Sequence, residues 1–161
     1  MIVVSNTSPI INLAAIHKLD LLEKHFGKII IPRAVFNEIT IKGRGEPGDN
    51  EVRTSDWFQV IDLKNIPFLT VLRRDLDEGE AESIALAVEL KADLLLIDEY
   101  DARRIASKLK LRFIGLLGVL VKSKNRGYIK KVKPLMNMLK EQAGFWIDDE
   151  LYQYVSNTVG E

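Results

Sequence analysis

Short runs of apolar residues alternate along the chain with segments in which apolar residues recur every three or four positions. The run LLLI in residues 93–97 is typical of a strand that is covered on both faces of a parallel sheet. In residues 77–90, Ala81, Ile84, Ala85 and Val88 have the i, i+3, i+4, i+7 spacing of a helix with one apolar face. The pattern predicts strands at residues 1–5, 28–31, 57–63, 93–97 and 112–114. This alternation of strands and helices indicates an α/β sandwich around a mostly parallel sheet.

Proline and glycine residues mark the boundaries between these elements. Ser8 and Pro9 predict the N-cap and the first residue of a helix, because the first turn does not use the N–H that proline lacks. Gly27 is expected to end the helical stretch that follows, and Pro32 to open the next helix. The glycine-rich segment 43–50 is expected to be a mobile loop. Further helices are predicted at residues 33–40, 77–90, 100–109, 116–123, 131–142 and 148–155.

Composition narrows the class of protein. The 161 residues are 47% hydrophobic and 29% charged, as in an ordinary globular protein, and they show no repeat or long linker. We therefore expect a single domain over residues 1–161, with the C-terminal helices of about 131–161 packed on it. The absence of cysteine excludes disulfides, thiolate metal sites and cysteine nucleophiles.

The compartment can also be predicted. No apolar run reaches the ~20 residues of a membrane span, and the N-terminal segment lacks the basic residues of a signal peptide. We expect a soluble cytoplasmic protein that does not bind a membrane. His17 and His25 are expected on helix surfaces, and neither is assigned a role.

Charge is unevenly distributed although the net charge is zero. Residues 101–140 contain twelve Lys and Arg residues and one acid, whereas residues 141–161 contain five acids and no basic residue. Two interpretations are open. The basic residues can bind phosphates while carboxylates elsewhere bind cations, or the charged helix faces can simply be solvated.

Polar and acidic residues follow two of the predicted strands. Asn6 comes directly after the first strand, and Asp98 and Glu99 follow the strand at 93–97. Because ligands of parallel sheets bind beyond the carboxyl ends of the strands, these side chains are candidates for a common site. A second acidic run lies at residues 75–82, where five carboxylates with no basic residue among them suit a hard cation such as Mg²⁺.

Helix capping is the alternative interpretation of these acids. Asp77 and Glu80 have the spacing of a capping box, and Asp98 and Asp101 can cap the helix that follows them. No histidine lies near a serine in a G-x-S-x-G setting, so a catalytic triad is not supported. The chain also lacks a Walker A loop and a G-x-G-x-x-G motif.

Four segments together resemble the PIN domains of VapC-type toxin ribonucleases, and most closely a little-characterised prokaryotic subgroup. They read VVSNTSPIINLA, IIIPRAVFNEI, LDEGEAESIALAVELKADLLLIDEYDARRIA and FIGLLGVLVKSKNRGYI, and they cover most of residues 1–125. The resemblance implies a three-layer α/β/α sandwich with a mostly parallel sheet. It also implies a rim of acids that holds Mg²⁺ or Mn²⁺ and cleaves RNA.

The resemblance also implies which residues form the site. The family acids fall on Asn6, Glu38, Glu80 and Asp98 as catalytic and metal-binding residues, with Glu99 as a neighbouring metal ligand because the register is ambiguous by one residue. Asn6 replaces an aspartate of the wider family, so the site carries about one negative charge less. A metal-dependent endoribonuclease is therefore expected, as the toxin of a toxin–antitoxin pair, with RNA, an antitoxin protein and a second copy of the chain as partners. The alternative is a catalytically weak or inactive module that binds RNA or a protein.

Overall fold

A computed structural model describes residues 1–161 and contains one parallel sheet. Its strands are β1 (Val3–Ser5), β2 (Ile29–Pro32), β3 (Phe58–Ile61), β4 (Leu94–Leu96) and β5 (Phe113–Ile114). They pair in the order β3-β2-β1-β4-β5, and every pairing is parallel. The five predicted strands are thus confirmed, and the carboxyl end of the central strand β1 lies between those of β2 and β4.

Ten α-helices and one π-helical turn connect and cover the strands. They are α1 (Thr7–Ala15), α2 (Asp20–Phe26), α3 (Arg33–Asn37), the π-turn (Glu38–Lys42), α4 (Asp49–Thr54), α5 (Ile66–Leu72), α6 (Glu78–Glu89), α7 (Tyr100–Lys108), α8 (Leu116–Asn125), α9 (Lys133–Gln142) and α10 (Asp149–Thr158). The short helices α4 and α5 were not predicted, since each buries only one or two apolar side chains. None of the helices has the length and apolar character needed to cross a bilayer.

The alternation of side chains along the strands creates two hydrophobic cores. Val3 and Ile31 point into the core formed with α1, α2, α8, α9 and α10. Val4 and Leu95 point into the core formed with α5, α6 and α7. The sheet is therefore the middle layer of an α/β/α sandwich, which confirms the predicted fold class.

Two helix boundaries differ from the predictions. Asn6, not Ser8, is the N-cap of α1, because the Asn6 N–H donates to Leu96 O (3.0 Å) and holds the residue in extended conformation at the sheet. Pro9 then lies in the first turn, where its missing N–H has no partner in the helix. The predicted helix 33–40 ends as α3 at Asn37, and the π-turn widens the backbone from Glu38 onward.

The glycine-rich segment 43–50, which was expected to be a mobile loop, is held by side-chain contacts. The buried side chain of Asp49 accepts a hydrogen bond from Gly45 N (2.8 Å) and pairs with Arg53 (2.7 Å). These contacts start α4 inside the segment that the glycine content had predicted to be a loop. Sequence pattern alone could not reveal them, because they depend on where the carboxylate of Asp49 points.

His25 is half-buried between α2 and α8, which corrects the expected surface position. Its Nε2 lies 2.8 Å from Ser123 Oγ, and the Ser123 hydroxyl donates to Val119 O (2.7 Å). His25 Nε2 must therefore be the donor. Burial and the positive charges of Lys122 and Arg126 lower the pKa of His25 to about 4, so the imidazole is neutral at pH 7.

The C-terminal helices pack on the first core through buried residues that include Leu139 and Val155. Glu161 holds them in place. Its carboxylate accepts hydrogen bonds from Val132 N (2.8 Å) and Lys133 N (3.0 Å) at the start of α9, and from Lys124 Nζ (2.9 Å) on α8. Burial alone would raise the pKa of Glu161, but these donors lower it to about 2.

Replacing this carboxylate should therefore destabilise the fold. Glu161→Gln should lower the free energy of unfolding by about 1 to 3 kcal/mol at pH 7, as measured by urea denaturation. Because the folded pKa lies below the ordinary 4.5, the contribution is complete above about pH 4.5 and declines as the pH falls towards 2. The exposed Glu141→Gln is the control. Equal stability of the two variants at pH 7 would contradict the role given to Glu161.

Candidate metal site

Four segments meet at the carboxyl edge of the sheet. They are the end of β1, the start of the π-turn, the first turn of α6 and the residues after β4. The parallel pairing of β1 with β2 and β4 brings the first, second and fourth together, and α6 packs on both β1 and β2. Side chains that are distant in sequence therefore converge here.

Asn6 lies at the centre of this convergence and is only 3% exposed. Its Nδ2 donates a hydrogen bond to Glu99 Oε2 (3.1 Å). Its Oδ1 is buried and has no hydrogen-bond partner. A buried acceptor without a partner costs about 1 to 3 kcal/mol, so this oxygen is a position where a ligand would be favourable.

Glu38 also lies near the unpaired oxygen. Thr7 Oγ1 donates to Glu38 Oε2 (2.7 Å) and fixes the carboxylate. A Cβ atom built on Gly79 would overlap Glu38 Oε1 and would lie 3.2 Å from Asn6 Oδ1. Burial raises the pKa of Glu38, against the effect of the Thr7 hydrogen bond. Gly79 is thus the residue that leaves room for both oxygens beside α6.

Glu80 has the capping role that its spacing allowed. Asp77 Oδ1 accepts from Glu80 N (2.8 Å), and Glu80 Oε2 accepts from Asp77 N (3.1 Å), which completes the capping box of α6. Burial raises the pKa of Glu80 to about 7, and the negative charges of Asp77 and Glu99 act in the same direction. The carboxyl group therefore belongs to the same electrostatic cluster while it caps the helix.

Asp98 binds the start of α8 and makes no hydrogen bond to Asn6. Its Oδ1 accepts a hydrogen bond from Leu116 N (2.9 Å) at the start of α8, while its Oδ2 is buried without a partner. A Cβ on Gly115 would lie 2.6 Å from Oδ1, so a larger residue there would displace the carboxylate. Burial raises the pKa of Asp98 to about 6, against the effect of the Leu116 N–H. Of the two neighbouring candidates, Glu99 is therefore the one that contacts Asn6.

The basic segment does not surround the acids evenly. Helix α8 begins at the carboxyl edge of the sheet and its 10 residues extend about 15 Å, so the loop after it lies towards the opposite edge. Tyr128 Oη in that loop donates to Lys24 O, shortly before β2 begins. The loop lysines, which are Lys130 and Lys131, are therefore separated from Asn6 by the length of the sandwich.

A family model described as a PIN domain matches residues 2–161. The chain belongs to the PIN domain family. This assignment confirms the resemblance seen in the sequence, and it gives the chain the fold of a PIN-type nuclease. A search of curated proteins found no match. PIN domains generally use divalent metal ions.

The donor atoms of this PIN domain fit a hard divalent cation in part. Asn6 Oδ1 and Glu38 Oε1 are oxygens, they face the same space beside Gly79, and one of them is buried without a partner. Mg²⁺ and Mn²⁺ prefer such ligands, and Mg²⁺ needs only one or two carboxylates beside its waters. No group of three His, Asp or Glu side chains is arranged to hold an ion, however, so the acids do not form a closed cage.

Sequence analysis missed Thr7 and Gly79, which position Glu38 without contributing charge. A hydroxyl one residue after Asn6 was visible in the sequence, but its partner is 31 residues away and could not be inferred from spacing. Gly79 stood inside the GEAES run. Nothing in that run shows that the missing Cβ makes room for a carboxylate from another element.

The close approach at Gly79 gives a direct test of this geometry. Gly79→Ala should lower the free energy of unfolding by about 1 to 3 kcal/mol, because the added methyl group displaces the Glu38 carboxylate. In a Glu38→Ala background the same change should be neutral or stabilising by up to about 1 kcal/mol, since alanine favours a helix. Urea denaturation of the four proteins measures this coupling. An equal penalty in both backgrounds would show that Glu38 does not lie against Gly79.

Proposed function

We propose that the protein is a divalent-cation-dependent endoribonuclease that hydrolyses RNA phosphodiesters as the toxin of a toxin–antitoxin pair. The observation that carries the proposal is the pair of oxygens at Asn6 Oδ1 and Glu38 Oε1, which face one space in a member of a nuclease family. The preference for RNA and the toxin role come from the resemblance to VapC-type ribonucleases. An antitoxin protein and a second copy of the chain are the further partners that this role implies.

Each residue of the edge has a separate task in this proposal. Asn6 and Glu38 would hold Mg²⁺ or Mn²⁺, which supplies an activated water and offsets charge on the phosphate. Thr7 keeps the Glu38 carboxylate in one orientation through its hydrogen bond. Asn6 keeps Glu99 in place through Nδ2, and Glu80 adds a negative charge when it is ionised. Asp98 binds the first N–H of α8 through Oδ1.

Asparagine at position 6 has a specific consequence. An aspartate there would stand beside Glu38 and Glu99, and three adjacent carboxylates would repel one another until a cation neutralised them. The Asn6 amide instead donates to Glu99, so the repulsion that an aspartate would add is absent. The cation should therefore bind more weakly than at an all-carboxylate site.

This consequence also supports a second candidate function. A PIN domain with a neutral residue at the centre of its acids can serve as a module that binds RNA or a protein and cleaves slowly or not at all. The neutral Asn6 and the absence of a cluster of three acids favour it. One experiment separates the two candidates.

Two substitutions should change the affinity for Mn²⁺ in opposite directions. Glu38→Gln should abolish Mn²⁺ binding and cleavage, because it removes the charge beside Asn6. Asn6→Asp should strengthen Mn²⁺ binding about tenfold or more through the added charge. Without metal it should be less stable by about 1 to 3 kcal/mol, because its hydrogen bond to Glu99 is lost. Calorimetry with Mn²⁺ and cleavage of labelled RNA with and without EDTA provide the measurements.

Glu23→Gln is the matched control, since Glu23 is exposed on α2, away from the acids. A native protein that binds Mn²⁺ and cuts RNA only without EDTA supports the enzyme. A native protein that binds no Mn²⁺ and cuts no RNA ends the enzyme proposal, and RNA binding that persists then favours the second candidate.

The basic loop after α8 should contribute to RNA affinity through phosphate contacts. Reversing the charge at Lys130 and Lys131 should reduce the slope of log affinity against log salt concentration by about 1 to 1.5, because each lost contact removes about 0.7 on a single strand. Fluorescence anisotropy in EDTA measures the slope. Charge reversal at Lys91 and Lys108, on the opposite helical layer, should change it less. Equal slopes for both pairs would remove the loop from the interface.

A further inference from the structure

A groove of about 610 Å³ runs along α8, between this helix, the edge strand β5 and α10. Its walls are apolar, with Leu117 and Val121 on α8 and Leu151 on α10. Two aromatic side chains that line it are largely exposed, since Trp146 is 80% and Tyr154 69% accessible. Large aromatic rings left open beside an apolar groove indicate a surface that receives a partner.

Both ends of the groove point to the same kind of partner. Asp98 and Arg103 line the end of the groove at the start of α8. Asp98 is the residue before Glu99 of the candidate metal site. The other end, where α8 and α10 finish, is lined by Asn125 and Thr158. Lys124, the residue before Asn125, and Gly160, two residues after Thr158, line a second depression together with Lys130, Lys131 and Lys133. The groove therefore runs from Asp98, the residue before Glu99, towards a depression that is lined by four lysines and by Glu161.

The charges in the groove favour a polyanion. Arg103 and Lys122 are its basic lining residues, and Asp98 is its one acidic lining residue. Arg103 Nε is buried without a hydrogen-bond partner, and the guanidinium lies over the ring of Phe113, 5.0 Å from its centre. The acids in the first turn of α10, Asp149 and Glu150, do not line the groove.

We propose that this groove binds the unpaired strand of an RNA substrate as it leaves the metal site, with bases stacked on Trp146 and Tyr154 and phosphates directed to the basic loop. The inference rests on the proposed function in taking RNA as the substrate. Every base has an aromatic face, so stacking on exposed rings holds single strands with little sequence preference, and the cations hold the backbone. A folded duplex would hide its bases from these rings, so the substrate class is single-stranded RNA.

The experiment measures RNA binding in EDTA, where metal-dependent cleavage does not occur. The probe is a fluorescein-labelled oligouridylate of about 12 nucleotides, within the site sizes usual for single strands. An abasic ribose-phosphate chain of the same length serves as the comparison. Trp146→Ala and Tyr154→Ala should each weaken oligouridylate binding about tenfold and leave the abasic chain unaffected. Trp146→Phe and Tyr154→Phe, which keep a ring, should restore most of the affinity.

Two further controls make the result specific. Val71→Ala removes an exposed apolar side chain from α5 in the opposite layer and should leave binding unchanged. Oligouridylate should also quench the fluorescence of Trp146, and Trp146→Phe should remove that quenching although Trp57 is still present. Circular dichroism verifies that each variant is folded.

Three outcomes would overturn the inference. Unchanged oligouridylate affinity in both alanine variants would exclude stacking, and so would equal binding of the abasic chain by the native protein. A change from dimer to monomer in Trp146→Ala, measured by analytical ultracentrifugation, would assign the groove to a second copy.

Cleavage of RNA in Mn²⁺ is measured separately. A native protein that binds RNA through these rings and never cuts it would end the nuclease proposal alone, whereas cutting with normal binding by the alanine variants would end the groove proposal alone.

Discussion

Carboxylates crowd at the carboxyl edge of the sheet, and the amide of Asn6 is the group that connects them. Its nitrogen donates to Glu99, and its oxygen is left buried beside the carboxylate of Glu38. The parallel sheet makes this crowding unavoidable, because it brings the ends of β1, β2 and β4 together. An uncharged residue in the middle lets the acids stay close without a cation and still leaves one oxygen available to bind one.

The helices around the edge are built to keep that space open. The capping box of Asp77 and Glu80 starts α6 at the rim, and Gly79 in the same turn leaves room for the Glu38 carboxylate. On the other side, Asp98 binds the first N–H of α8, and Gly115 leaves room for it in turn. The capping box predicted for Asp77 and Glu80 is confirmed, whereas Asp98 and Asp101 do not cap α7 as predicted, and Asp98 binds the first N–H of α8 instead. Capping and cation binding, which the sequence left as alternatives, are compatible here.

The spacing of apolar residues and the positions of glycine and proline predicted the five strands, the longer helices and the layered fold. These features depend on which residues must be buried. The choice between Asp98 and Glu99 could not be made in this way. Successive side chains of an extended segment point to opposite sides, so a shift of one residue exchanges the one that faces Asn6 with the one that faces α8.

Other features depend on contacts between distant residues. Helix α4 begins where the Asp49 carboxylate turns back to Gly45, and His25 is half-buried because Ser123 lies opposite it. Neither partner is visible in a local pattern. The apolar C-terminal residues were expected to pack on the body or on a partner; Val155 does pack on the body, while Trp146 and Tyr154 remain exposed beside a groove.

The position of a bound ion tests the central claim most directly. A crystal grown from this protein and soaked in Mn²⁺ should show an anomalous scattering peak about 2 to 2.3 Å from both Asn6 Oδ1 and Glu38 Oε1, beside Gly79. A peak held by other residues, or no peak at Asn6 at a Mn²⁺ concentration that saturates binding in solution, would contradict the account.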